Sequence, residues 1–160
     1  MIIESEEIKT LLPHRNPFLF LDKVEILEIG KKGIGYKTFL PDEYFFKGHF
    51  PNMPIVPGVI LIESMAQTAG IVVSKKYENY KDKSVLFMSV SKAKFRKPVL
   101  PNDMIKFEVG FLNNVRSVYK FKGIAYKEMT VVCESEFSAM IIDKSSSEII
   151  WNNKYIYNFY

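Results

Sequence analysis

Residues 57–77 read PGVILIESMAQTAGIVVSKKY, and this segment dictates what the rest of the chain must do. Val59, Ile60, Leu61, Ile62, Met65, Ala66, Ala69, Ile71, Val72 and Val73 cover every side of a helical wheel. A helix that is apolar all round is a buried one, so the remaining residues must wrap it. Pro57 suits the helix start, where its missing N–H is not needed. The wrapping comes mainly from the C-terminal half of the chain. Val85–Phe95, Met104–Leu112, Val115–Tyr126 and Thr130–Ile142 are four long strand candidates, with Asn113-Asn114 read as a hairpin turn and further breaks at 97–103 and Lys127-Glu128. Ahead of the helix, Asp22–Ile29 and Gly33–Leu40 are short β-leaning runs separated by a turn at Gly30-Lys31-Lys32. Ser5 is read as the N-cap of a short helix ending at Pro13, with Glu6 and Glu7 in the first turn, where the helix dipole favours acids. Strands joined by short turns pair antiparallel, which makes the fold class α+β. The 13 Phe and 9 Tyr suit a sheet-rich core. No repeat or linker divides the 160 residues, so a single domain over 1–160 is expected, with a polar, aromatic tail at 145–160 left unassigned.

One residue does not belong in such a helix. Glu63 sits in its first half, and burying an unpaired carboxylate costs several kcal/mol, so it must be partnered or stay protonated. Desolvation alone would raise its pKa. Glu63, Gln67, Gly70 and Ser74 follow 4-3-4 spacing and form one narrow polar strip. Ala66 and Ala69 are small enough to let another chain or a ligand come close. Spacing alone leaves a purely structural ion pair equally open.

His49 adds chemistry. It lies in residues 41–58, a stiff segment holding Pro41, Pro51, Pro54, Pro57, Gly48 and Gly58. An imidazole and a carboxyl with pKa values pushed apart make an acid–base pair. The helix N-terminus at Gly58 offers free N–H groups to a carbonyl oxygen or a developing negative charge. This set suits removal of a proton next to a carbonyl, followed by loss of a leaving group. His14, His49 and Cys133 form no zinc spacing, and neither a glycine-rich phosphate loop nor a GxSxG elbow is present.

The net charge of +4 is spread along the chain, which argues against nucleic acid and suits an acidic partner met transiently. One cysteine precludes an internal disulfide and favours a reducing compartment. The start MIIESEEIK has charges where a signal peptide would be apolar, and no apolar run reaches about 18 residues. A soluble, cytoplasmic protein is expected.

GHFPNMPIVPG (48–58) followed by LIESMAQ (61–67) closely resembles the bacterial FabZ-type 3-hydroxyacyl-acyl carrier protein dehydratases. LLPHRNPFLFLDKV (11–24) resembles that family's N-terminal signature, and KAKFRKPVLPND (92–103) a third block, in the family's order. Asn52 stands where many members have Gly, and Asn16 replaces a frequent Tyr. The resemblance spans roughly residues 4–143 and implies a hot-dog fold, a long central helix wrapped by an antiparallel sheet. It implies a homodimer whose sheets join, commonly a hexamer built as a trimer of dimers, with each site using the histidine of one subunit and the glutamate of the other. The implied reaction is reversible dehydration of a (3R)-hydroxyacyl thioester on acyl carrier protein to the trans-2-enoyl thioester, without cofactor or metal. On this resemblance His49 acts on the proton beside the thioester carbonyl, Glu63 helps the hydroxyl leave, and the Gly58 N–H polarises the carbonyl. Phe50 and Pro57 fall in the substrate-binding motif. Gln67, one turn from Glu63, is placed by spacing to orient that carboxyl.

Lys92, Lys94 and Arg96 alternate along a strand and share one face, either a solvated edge or a docking patch for the acidic carrier. Phe18, Phe20, Phe45, Phe46 and Phe87 are candidates for an acyl tunnel, with core packing the plainer role. His14 and Arg15 are expected to tie a turn to the core or to a partner rather than to act in catalysis. Three rivals stand beside the dehydratase. They are a FabA-type enzyme that also isomerises the double bond, a hot-dog thioesterase, and a non-catalytic acyl-binding protein. Glu63 disfavours the first, whose helix typically carries Asp there.

Overall fold

The structure, a computed structural model, describes residues 1–145. The tail beyond 145 lies outside the described residues. The chain forms β1 (Ile2–Glu4), α1 (Ser5–Leu11), β2 (Lys23–Glu28), β3 (Lys32–Thr38), α2 (Gly58–Ser74), β4 (Lys83–Phe95), β5 (Met104–Val115), β6 (Val118–Lys127) and β7 (Thr130–Asp143). The strands make one antiparallel sheet in the order β1-β2-β3-β5-β6-β7-β4. α2 lies against β2, β3, β5, β6 and β7, and this wrapped central helix is the hot-dog fold.

Glycines set how closely helix and sheet approach, Gly33 against Val72 and two more besides. A Cβ on Gly35 of β3 would stand 2.2 Å from Thr68 Oγ1, and one on Gly123 of β6 would stand 2.5 Å from Met65 Sδ. Only hydrogen fits at either place. The hydroxyls that the helix carries into the core are satisfied by its own carbonyls: Ser64 donates to Ile60 O, Thr68 to Ser64 O and Ser74 to Ile71 O. Ser74 therefore belongs to the helix backbone, and the polar strip expected at 4-3-4 spacing ends in practice at Gln67.

The expected all-round burial of α2 fails along one line. Val59 is 69% exposed, and Glu63 and Ala66 are only partly covered. β4 is likewise an open edge strand, with Phe87, Met88, Val90 and Phe95 all exposed.

The elements match the expected order, with four local differences. β1 is too short to show a period, yet Ile3 is buried and the strand pairs with β2. Ser5 is the first helical residue rather than the cap; Glu4 holds the cap position and makes no side-chain bond there. α2 stops at Ser74, with the N–H of Lys76 closing on Val73 O, so residues 75–77 fall outside it. Asn113-Asn114 is not the turn. β5 runs on through a bulge between Phe111 and Asn113, and the chain reverses at Arg116-Ser117, where Arg116 has φ 54°. The bulge absorbs the extra residue and shifts the hairpin tip further along the chain. No helix among the described residues is long and apolar enough to cross a membrane.

Candidate active site

The approach to α2 is anchored by a single helical turn at Tyr44–Lys47, whose Phe45 and Phe46 are buried. From there His49 N donates to Phe45 O (2.9 Å), and Ile55 N donates back to His49 O (2.9 Å). Val56 N reaches Val99 O (2.8 Å) and ties the segment to the loop after β4. His49 is thus held by its backbone at both sides. Its Nδ1 lies 2.8 Å from Ile55 O. A carbonyl only accepts, so Nδ1 carries the proton and Nε2 keeps a free lone pair, as a general base requires. The ring stacks on Phe50 at 4.3 Å, across a cis peptide bond.

His49 opens onto a groove of about 400 Å³. Gly58, Phe95, Arg96, Lys97 and Val99 are among the residues that line it. Ile60 N in the first turn of α2 donates back to Pro57 O (2.9 Å), while the N–H groups of Gly58 and Val59 ahead of it have no partner within the helix and lie at its positive end. Gly58 also admits the Phe95 ring, which would lie 2.5 Å from any Cβ at that position. Pro57 caps the helix, so Pro57 and Phe50 shape this site without lining the groove.

Glu63 belongs to a second cluster. Gln67 donates from Nε2 to Glu63 Oε1 (3.0 Å) and to Phe18 O (3.0 Å), while its Oε1 accepts from Phe20 N (3.0 Å). The Phe20 N–H fixes which end of the amide is oxygen, so the NH₂ must face Glu63. Gln67 thus hydrogen-bonds the carboxyl one helical turn away, at the spacing read from the sequence. The third member was not expected: His14 Nε2 stands 3.3 Å from Glu63 Oε1. Its motif suggested that His14 holds a turn, a task the structure gives to Arg15, which donates to the carbonyls of Lys9, Leu12 and His14.

Of the two states open to Glu63, partnered or protonated, the structure favours the partnered one. Burial, the largest influence, pushes its pKa up, but hydrogen bonding from His14 and Gln67 and the attraction of His14 together bring it below the ordinary value of 4.5. Desolvation alone points the other way, and the sequence showed Gln67 but not His14 as a partner to offset it. Within one chain, Glu63 is not among the residues lining the groove beside His49.

The remaining candidates separate. Lys92 pairs with Glu136 (3.1 Å) and Arg96 with Glu134 (2.8 Å) across the β4–β7 ladder, while Lys94 adds to the field around Glu134. Of the three, only Arg96 reaches the groove. Phe20, Phe45 and Phe46 are buried in one aromatic chain with Phe18, and Phe87 packs on Phe137 at 5.9 Å. None of these five lines the groove. Burial pushes the Cys133 thiol up to about 11, so it is no nucleophile at neutral pH.

Residues 12–136 match the FabA-like domain. The 3-hydroxyacyl-[acyl-carrier-protein] dehydratase FabZ of Clostridium kluyveri is 44% identical over 140 residues, which cover 88% of this chain and 96% of that protein. The bifunctional enzyme LpxC/FabZ of Chlorobaculum tepidum is 42% identical over 146 residues; the match covers 91% of this chain but only 31% of that longer protein. Among solved structures, the dehydratase heterocomplex ApeI:P from Xenorhabdus doucetiae superposes with a TM-score of 0.73 at 16% identity. It covers 91% of this chain and 97% of its own, a likeness of fold.

Proposed function

Because the chain belongs to the FabZ-type 3-hydroxyacyl-[acyl carrier protein] dehydratases within the FabA-like family, we propose that His49 and Glu63 are its acid–base pair, supplied to each site by different subunits. The protein removes water reversibly from a 3-hydroxyacyl thioester on acyl carrier protein, a step of fatty acid biosynthesis. The observation that carries the assignment of roles is the His49 Nδ1–H on Ile55 O, which leaves Nε2 as a base beside the N-terminus of α2.

In that reading the thioester carbonyl accepts a hydrogen bond from the Gly58 N–H, which makes the C2 proton acidic. Nε2 takes that proton, the C2–H electron pair becomes the C2–C3 double bond, and the C3–O bond breaks. The leaving oxygen receives a proton from Glu63, directly or through an ordered water, and departs as water. The pKa of Glu63 is lowered in the free chain, so it gains the proton that it passes to the leaving oxygen by uptake from solvent as the substrate displaces water from around it and raises its proton affinity. In the hydration direction the ionised carboxylate activates the incoming water.

A homodimer completes the site. The open line Val59–Glu63–Ala66 and the apolar β4 edge are surfaces that a second copy would cover, with β4 strands joining the two sheets. Assembly as a trimer of dimers follows the family. Arg96 and Lys97 at the groove, with Lys92 and Lys94 further along β4, form the docking face for the acidic carrier protein. We place the enzyme in the cytoplasm.

The test is turnover of 3-hydroxyacyl and trans-2-enoyl thioesters on acyl carrier protein, followed by mass spectrometry. A mass change of one water with the thioester intact is expected. Free acid would identify a thioesterase, a displaced double bond the FabA-type isomerase, and no change with an intact oligomer a binding protein.

A further inference from the structure

We infer that His14 is a positioning residue for Glu63, which together with Gln67 grips one carboxylate oxygen so that the other is presented to the substrate. The inference rests on the proposed catalytic role of Glu63. Both side chains converge on Oε1: Gln67 Nε2 hydrogen-bonds it at 3.0 Å, and His14 Nε2 stands 3.3 Å away in ion-pair contact. No donor among the described residues reaches Oε2.

The two grips are not equivalent. Gln67 lies on α2 one turn from Glu63 and moves with it. His14 comes from the loop between α1 and β2, so it is the anchor from outside the helix. One donor leaves the carboxyl free to turn about its last bond, a soft torsion; a second donor from another element removes that freedom. The loop is itself braced. Arg15 donates to the carbonyls on either side of His14's turn, Phe18 N donates to Arg15 O (2.7 Å), and the His14 ring stacks on Phe18 at 6.3 Å. Gln67 ties the same loop to α2 through Phe18 O and Phe20 N.

The imidazole is dedicated to this contact. Its Nδ1 is buried with no partner among the described residues. Its Nε2 faces a carboxylate, which only accepts, so the ring proton sits on Nε2. The 3.3 Å separation leaves room to shorten when substrate closes the site.

The experiment compares H14L, H14Q and E63Q with the wild-type oligomer. H14L keeps apolar contact with Phe18 and removes the donor; H14Q restores an N–H on a side chain of similar reach. H14L is expected to lower kcat about 10- to 100-fold with KM within about threefold, because a misaimed carboxylate harms the transition state more than binding. H14Q should recover most of that loss, and E63Q should be nearly inactive. Two results overturn the inference while leaving Glu63 catalytic: H14L within about twofold of wild-type kcat, or H14Q falling as far as H14L in an intact oligomer. Normal turnover by E63Q would instead refute the underlying assignment. Should H14L fail to assemble, H14F keeps the ring on Phe18 without a donor, and the same outcomes decide.

Discussion

Replacing Gln67 separates what its amide does for stability from what it does for Glu63. In Q67L the Phe20 N–H, at a residue with no exposed surface, loses its acceptor, and the Phe18 carbonyl loses a donor. Phe18 is 46% exposed, so water can serve its carbonyl, and the cost falls on Phe20. An unsatisfied buried N–H costs about 1–3 kcal/mol. The expected loss is therefore about 2 kcal/mol, roughly 30-fold in the folding equilibrium. Q67E behaves differently. It keeps the acceptor for Phe20 but replaces an NH₂ that lies 3.0 Å from Glu63 Oε1 with a second carboxylate oxygen. Two charges at that separation, at an effective dielectric of about 20, repel by roughly 5 kcal/mol. They relieve this by sharing a proton, so the ionisation of the pair moves up in pH. Urea unfolding at fixed protomer concentration and kcat measured across pH distinguish the two effects. Q67L should unfold at lower urea and turn over more slowly. Q67E should unfold at lower urea than the wild type near neutral pH, regain stability as the pH falls and the pair holds its shared proton, and show a displaced pH–rate profile. A wild-type urea midpoint for Q67L would mean the amide is not holding the 18–20 backbone. A pH–rate profile for Q67E that superimposes on the wild type would break the link between Gln67 and Glu63.

H49A and E63A should each be nearly inactive alone. If each site takes its pair from two subunits, mixing them with subunit exchange restores about a quarter of wild-type sites, since half the dimers are hybrids with one intact site; no recovery despite proven exchange contradicts a shared site. The carboxyl of Glu63 sits below its ordinary 4.5 in the fold, so its ionised form contributes stability that is complete above that value and drains away as pH falls through the lowered one. E63Q should therefore show a shallower acid limb in urea midpoints collected below about pH 5, and limbs that run parallel would refute the assignment. G35A pushes a methyl onto Thr68 Oγ1 and Leu21 in a packed layer and should cost about 1–3 kcal/mol by urea unfolding; a loss under about 0.5 kcal/mol would mean that helix and sheet yield easily there. R96E should raise KM for carrier-bound substrate and leave short thioester analogues unaffected, whereas equal loss on both argues for a structural role through Glu134.

Local signals in this chain are strong where one residue type leaves little choice. The apolar run after Pro57 announces α2 because only burial satisfies apolar side chains on every side of a wheel. A glutamate within that run marks the site because an unpartnered buried carboxylate is too costly to be accidental. Gln67 one turn on is legible for the same reason, since i and i+4 face each other in any helix. The stiff segment around His49 and the long strands were readable as well, from proline, glycine and β-branched patterning.

What escaped depends on contacts between distant segments. Nothing in LPHRNPF indicates that His14 meets Glu63, far away in the chain; that contact exists only because the loop before β2 folds over α2. The direction of the Glu63 pKa followed from the same contact, since burial raises it and only donors from His14 and Gln67 reverse the sign. The hairpin tip moved from Asn113-Asn114 to Arg116-Ser117 because a bulge, set by β5–β6 pairing, changed the register. Sequence by itself determined the helix, its carboxylate and the residues one turn away, because those interactions repeat with the backbone's own period. Tertiary structure alone decided which donors grip Glu63, which groove His49 faces and which edge stays open, because these are set by how the sheet order brings remote segments into register.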